Sequence, residues 1–114
     1  MDKRRLKRVA SLLRDELTSL ILDGVKDPRI DSLVSVIEVE VARDASFARV
    51  FISYYGDKDK RDAIIEALNH ASGYFQKEIS KRVRLRSTPR LLFVPDESIE
   101  RGFRISEVLK KISH

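Results

Sequence analysis

The feature that most constrains the fold is a helical pattern from Asp59 to Arg86 that Ala71-Ser72-Gly73 interrupts. One straight helix over these residues would be roughly 40 Å long at 1.5 Å per residue, which is longer than a domain of this size can cover. Glycine inside a helix also costs about 1 kcal/mol relative to alanine. The pattern therefore predicts two helical segments with a kink at Ala71, Ser72 and Gly73, so that both apolar faces reach one core.

Gly73 is compatible with two roles. It can be a packing residue that lets helices approach closely, or a bend that exposes backbone N–H groups to a phosphate at the start of the second segment. Asn69 and Ser72 are candidate caps of that start. If Gly73 merely interrupts one continuous helix, alanine should stabilise the protein by up to about 1 kcal/mol. We predict instead that Gly73→Ala destabilises it, because Gly73 adopts a backbone conformation that alanine tolerates poorly or lets the helices approach closely.

The second helical segment is strongly basic. Six cations face a single acid, Glu78, and they are Lys77, Lys81, Arg82, Arg84, Arg86 and Arg90. The spacing of Lys77, Lys81 and Arg84 places them on one helical face. Such a run favours a surface that tracks phosphates, which positions a protein on RNA without reading its sequence. The alternative is a solvated helix face that needs no partner.

Composition supports one domain over residues 1–114 and a polyanionic partner. The chain has 114 residues, 36% of them charged, with a net charge of +5 and a pI of about 9.7. It has no cysteine, no signal-peptide pattern after Met1, and no apolar run long enough to cross a bilayer. We therefore expect a cytoplasmic protein without a membrane partner.

Residues 3–23 have the pattern of an amphipathic helix. Its apolar positions recur at three- and four-residue steps: Leu6, Val9, Leu13, Leu17, Leu20 and Ile21. Gly24 and Pro28 follow as stop signals. Leu13, Leu17 and Ile21 are predicted to be buried against a sheet. Arg4 and Arg8 lie on the other face, either as a second phosphate-contacting patch or as part of a solvated first turn.

Two strands follow the first helix. Residues 33–42 alternate Ile37, Val39 and Val41 with glutamates, while Val34 and Val36 are in the opposite phase, which indicates a bulge or a late strand start. A turn at 43–46 leads to a strand over 47–55. These strands predict an antiparallel hairpin.

A third strand over 91–94 and a final helix from Asp96 or Ser98 towards Ile112 complete the pattern. A right-handed crossover through the kinked helices returns the third strand parallel to the second. The predicted class is α+β, with helices mainly on one face of the sheet. This order, α-β-β-α-kink-α-β with a short C-terminal helix, is that of a type II KH domain, an RNA-binding fold.

A KH domain normally clamps phosphates with a Gly-x-x-Gly loop. Ala71-Ser72-Gly73 stands in its place, and at this point the chain resembles the ribosome-binding factor A family, which has an Ala-x-Gly kink there. The C-terminal third carries the most specific match: Leu85-Arg86, Pro89, Leu91, Phe93, Asp96, Ser98, Gly102, Ile105 and Leu109. Arg4, Arg5, Val9 and the Pro28-Arg29 loop also fit the family.

The resemblance implies a non-catalytic assembly factor. Its partners would be the small (30S) ribosomal subunit and 16S rRNA, and its role would be late processing of the 16S rRNA precursor and growth in the cold. A monomer without cofactors is the simplest expectation. Composition and periodicity alone reach only a small basic α+β domain that binds RNA.

Other functions find less support in the sequence. A basic DNA-binding or nucleoid-type protein would share the charge, and it would prefer duplex DNA to structured RNA at matched salt. A small α+β enzyme acting on a phosphorylated substrate would need a catalytic constellation, and no such motif stands out. His70 and His114 have no metal-ligand spacing. Phe51, Tyr54, Tyr55 and Tyr74 are candidates for base stacking, although most aromatic residues of a small domain belong to its core.

Overall fold

The computed structural model describes residues 2–23 and 34–97. They form α1 (Lys3–Leu22), β1 (Val34–Val41), β2 (Phe47–Tyr54), α2 (Lys58–His70), α3 (Ser72–Arg82) and β3 (Arg90–Pro95). This order confirms the predicted α+β, KH-like fold. The predicted C-terminal helix, the stop signals Gly24 and Pro28, and the Pro28-Arg29 loop lie outside the described residues.

Helix α1 begins at a side-chain cap and buries one face. The carboxylate of Asp2 accepts a hydrogen bond from the Arg4 amide at 3.1 Å, which satisfies a backbone donor that the helix leaves unpaired. The buried side chains of α1 are Leu13, Leu17, Leu20 and Ile21. They pack against β1 and α3, which confirms the predicted burial of Leu13, Leu17 and Ile21.

Strands β1 and β2 form the predicted antiparallel hairpin, with a bulge in β1. The register shifts between Val36 and Glu38, so Ile37 has no place in the alternation and is 45% exposed rather than buried beside Val39. The hairpin turn places Ala45 in the left-handed region, at φ 59°.

Strand β3 pairs parallel with β2, as the crossover rule predicts, and the strand order in the sheet is β1-β2-β3. The helices cover one face of this sheet. The Phe75 and Phe93 rings, 5.3 Å apart between centroids, join α3 to β3 at the centre of the core. The opposite face carries exposed or partly exposed side chains, among them Phe47, Arg49 and Leu92.

Asn69 links α2 to the edge of β3 that faces away from β2. Its side-chain amide donates to the Phe93 carbonyl at 2.9 Å, and its side-chain oxygen accepts from the Phe93 amide at 2.8 Å. The backbone amide and the backbone carbonyl of Phe93, a residue of this edge strand, therefore both have a hydrogen-bond partner. The prediction that Asn69 or Ser72 caps the second helical segment is wrong, since α3 begins at Ser72 and has no side-chain cap hydrogen bond.

The helical pattern divides at Ala71, which has φ −92° and ψ 10° and lies between α2 and α3. The second segment is shorter than predicted, because α3 ends at Arg82 and Val83 is extended, with φ −122° and ψ 124°. The prediction of a helix to Arg86 is therefore wrong. The physical reason is burial: an extended backbone turns Val83 and Leu85, two residues apart, onto the core together.

Candidate nucleic-acid interface

The candidate interface is centred on Lys77 and Lys81 of α3. The buried side chains Phe75 and Ile79 fix the inner face of this helix, so both lysines are exposed on the outer face, one turn apart. The Lys81 ammonium lies 3.5 Å from a carboxylate oxygen of Glu78, and 60% of the Lys81 side chain is exposed. The Glu78 side chain is 23% exposed, but the ammonium end of the pair faces solvent, so the pair is weak and leaves Lys81 available to an external anion.

Within the described ranges, Arg82, unlike Lys77 and Lys81, forms an ion pair with a residue of another helix. Its guanidinium lies 3.5 Å from a carboxylate oxygen of Glu16 on α1. Both side chains are about one-third exposed, at 37% and 34%. Arg82 therefore holds α3 against α1, and its charge is partly compensated within the fold.

Arg84 and Arg86 lie on the non-helical connection between α3 and β3. Both are exposed and alternate with the half-buried Val83 and Leu85. The prediction that Arg84 shares a helical face with Lys77 and Lys81 is wrong, because the chain is no longer helical there. The Gln76 side chain donates to the Thr88 carbonyl at 3.0 Å and ties this connection to α3.

The remaining predicted cations are exposed and lie further along the chain. Arg90 begins β3, where its backbone amide donates to the Ser46 carbonyl at 3.0 Å. Arg4 and Arg8 are exposed on the first turns of α1. Glu16 is the residue of α1 that contacts Arg82 on α3. Arg4 and Arg8 lie roughly 18 Å and 12 Å from Glu16 along the axis of α1, at 1.5 Å per residue, so they would form a patch separate from that on α3.

Gly73 has neither of the properties that would make alanine unfavourable. Its backbone is not in the left-handed region, and a Cβ atom built on it would meet nothing within 4 Å. It is the second residue of α3, exposed to solvent. The expectation of a special backbone conformation or a close helix approach at Gly73 is therefore wrong.

The stacking candidates differ in exposure. Tyr55 is 86% exposed after β2, and Tyr74 is 48% exposed on α3. Phe51 is half-buried on the outer face of the sheet, where the Arg49 guanidinium lies 5.9 Å from its ring centroid. Tyr54 is half-buried and packs against the core.

Titratable groups show no catalytic constellation in the described ranges. Hydrogen bonds from the Ser46 hydroxyl and amide lower the pKa of Asp44, an exposed residue of the hairpin turn. His70 ends α2, and no cluster of three His, Cys, Asp or Glu residues within 2–23 and 34–97 is placed to hold a metal. None of the helices in these ranges has the length and apolar character to span a bilayer.

The arrangement can bind a phosphate backbone. Exposed ammonium and guanidinium groups on α3 and on the connection after it offer charge-assisted hydrogen bonds to phosphate oxygens. The flexible point charges of lysine and the planar forks of arginine are both present. Sequence alone did not reveal how Arg82 differs from its neighbours, because its partner Glu16 is distant in the chain.

Comparison with known proteins identifies the family. The family model for ribosome-binding factor A matches residues 5–109. The chain belongs to the ribosome-binding factor A family. A family member from Halothermothrix orenii is 46% identical over 112 residues, which cover 98% of this chain and 91% of that protein.

Solved structures agree with this assignment. The crystal structure of ribosome-binding factor A from Thermus thermophilus has a TM-score of 0.71 at 26% identity, covering 82% of this chain and 97% of that one. A Thermus thermophilus ribosome binding factor A model fitted into a cryo-EM map of a 30S complex has a TM-score of 0.66, also at 26% identity. It covers 81% of this chain and 96% of that one.

Proposed function

We propose that this protein is a non-catalytic assembly factor that binds the small ribosomal subunit and assists late maturation of the 16S rRNA precursor. The observation that carries the proposal is family membership over residues 5–109, together with a related structure fitted into a map of a 30S complex. The protein would act in the cytoplasm, as a monomer of one domain and without a cofactor. A role in growth in the cold is part of the same proposal.

The principal RNA surface in this proposal comprises Lys77, Lys81, Arg84, Arg86 and Arg90. Two observations support it. These side chains are exposed, and Glu78, which already contacts Lys81, is the single acidic residue between Lys77 and Arg90. Arg82 would contribute less to RNA binding, because its guanidinium is already paired with Glu16. Arg4 and Arg8 would form a second patch on α1. Recognition would depend on RNA shape, since phosphate contacts carry no sequence information.

The test is a charge-neutralised variant, Lys77→Gln, Lys81→Gln and Arg84→Gln. Its control is Arg43→Gln, Lys58→Gln and Lys60→Gln, which removes three charges from the hairpin turn and the start of α2. Both variants lower the net charge from +5 to +2, that is, five minus three. Arg82 is left unchanged so that Glu16 keeps its partner.

We expect the first variant to bind separated small subunits more weakly and with a flatter salt dependence. The slope should fall by about 0.7–0.9 for each phosphate that the variant no longer neutralises. Sedimentation with subunits across a salt series measures both quantities. An unchanged slope, or an equal loss of affinity in the control, would reject this surface. Tighter binding of the parent protein to duplex DNA than to subunits at matched salt would favour a DNA-binding protein instead.

A further inference from the structure

Tyr74 is an exposed aromatic side chain at the head of the lysine stripe on α3. It precedes Lys77 by three residues and Lys81 by seven, so all three lie on one side of the helix. The successive separations along the helix axis are about 4.5 Å and 6 Å, which is comparable with one to two nucleotides of a stacked strand. Phe75, the next residue, is fully buried, so the exposure of Tyr74 is not shared by its neighbour.

The Tyr74 ring is supported by the core. Its centroid lies 5.6 Å from that of Phe75, with an angle of 67° between the ring planes, and Phe75 in turn contacts Phe93. This edge contact holds the ring while 48% of the residue stays accessible to solvent. A tyrosine has few rotatable bonds, so a supported ring loses little conformational entropy when it binds another surface.

The approach to Tyr74 is open on the N-terminal side of α3. Gly73 has no side chain, and apart from its two chain neighbours and the backbone of α3 no atom of the described residues lies within 4 Å of where its Cβ would be. A flat ring could therefore reach Tyr74 without displacing a side chain at position 73. The aromatic ring, the open backbone beside it and the two lysines form one continuous exposed strip.

We propose that Tyr74 stacks on an unpaired RNA base whose neighbouring phosphates contact Lys77 and Lys81. This inference rests on the proposed RNA-binding function and specifies the ligand of the same surface: RNA with an unpaired nucleotide, in preference to a fully paired helix. Base–aromatic stacking combined with a cationic groove is how proteins bind single strands without reading their sequence. A duplex offers the lysines its phosphates but keeps its base faces covered.

The test compares Tyr74→Ala with Tyr74→Phe, which keeps the ring. Tyr55→Ala is the control, because it removes a tyrosine that is 86% exposed and lies outside α3. The probes are purified small subunits and two short RNA hairpins, identical except that one carries an unpaired bulge with 2-aminopurine. Affinity is measured across a salt series, bulge fluorescence reports stacking, and chemical unfolding confirms that each variant is folded.

We expect Tyr74→Ala to weaken binding to the bulged hairpin and to subunits by roughly 5- to 150-fold, the range of one stacked base. The salt slope should not change, because the variant keeps its phosphate-binding cations. Fluorescence quenching of the bulge should disappear in Tyr74→Ala and persist in Tyr74→Phe and Tyr55→Ala. The paired hairpin should bind all four proteins about equally.

Several results would overturn the inference. The first is a parent protein that does not prefer the bulged hairpin. The second is an equal loss of affinity in Tyr74→Phe, which would indicate a hydroxyl contact. The third is a loss for subunits alone, which would indicate a protein partner. If Tyr74→Ala binds normally while the Lys77, Lys81 and Arg84 variant does not, the stacking role fails and the RNA surface stands. If neither variant loses affinity, the proposed surface itself is wrong.

Discussion

Gly73 interrupts a helical pattern in the sequence, yet its surroundings would accept a side chain. Its backbone lies outside the left-handed region, and apart from its chain neighbours and the backbone of α3 no atom in the described part of the chain lies within 4 Å of the position of a Cβ. Glycine therefore contributes no steric advantage here, and its cost is the larger entropy that it loses on folding.

We expect Gly73→Ala to stabilise the protein by up to about 1 kcal/mol. Alanine restricts the unfolded chain and is the better helix former, and nothing in the native structure opposes its methyl group. Denaturant unfolding of the two proteins measures the difference. A destabilised variant would show that the start of α3 tolerates only glycine.

At the scale of elements, α1 is joined to the sheet by buried leucines and to α3 by one ion pair. Leu17 is fully buried, whereas Leu12 of the same helix is 44% exposed. The Arg82–Glu16 pair is partly exposed and contributes less than the apolar contacts, since exposed ion pairs are worth about 0–1 kcal/mol. Apolar burial therefore determines where α1 docks.

We expect Leu17→Ala to lower the free energy of unfolding by about 2–5 kcal/mol, because apolar burial is removed and a cavity remains. Leu12→Ala makes the same chemical change at an exposed position and should stay within roughly 0.5 kcal/mol of the parent. Chemical denaturation of both variants tests the pair. A decrease below about 1 kcal/mol for Leu17→Ala would contradict the docking of α1 on the sheet.

Periodicity predicted these elements well because each carries its own pattern. The apolar steps of α1 and the phase change around Ile37 are local features, and both the helix and the bulge are present. The end of α3 was not predictable in this way. Val83 alone continues the helical face of Phe75 and Ile79, and it fits an extended segment as well; only the joint contact of Val83 and Leu85 with the core selects the extended form.

At the scale of the molecule, one core joins all six described elements. Its members come from each helix and each strand, and Phe75 and Phe93 link the helical layer to the sheet. Cohesion of this kind favours a single cooperative transition in a domain of this length.

We expect the helical signal and the tyrosine fluorescence to change together, in one transition, on chemical denaturation. Far-UV circular dichroism reports the helices, while fluorescence reports the three tyrosines: Tyr54 and Tyr55 at the end of β2, and Tyr74 on α3. The matched control is Tyr74→Phe, whose remaining fluorescence should follow the same transition. Two separated midpoints would show that the helices and the sheet unfold as independent units.

The sequence by itself determined the order and type of the elements, the antiparallel hairpin, the parallel return of β3 and the excess of cations after Ala71. These depend on residue spacing and charge, which are local. The tertiary structure alone decided that Arg82 faces Glu16, that Asn69 binds the edge of β3, and that Arg84 leaves the helical face. Each of those outcomes depends on a contact between residues distant in the chain, and no local pattern encodes such a contact.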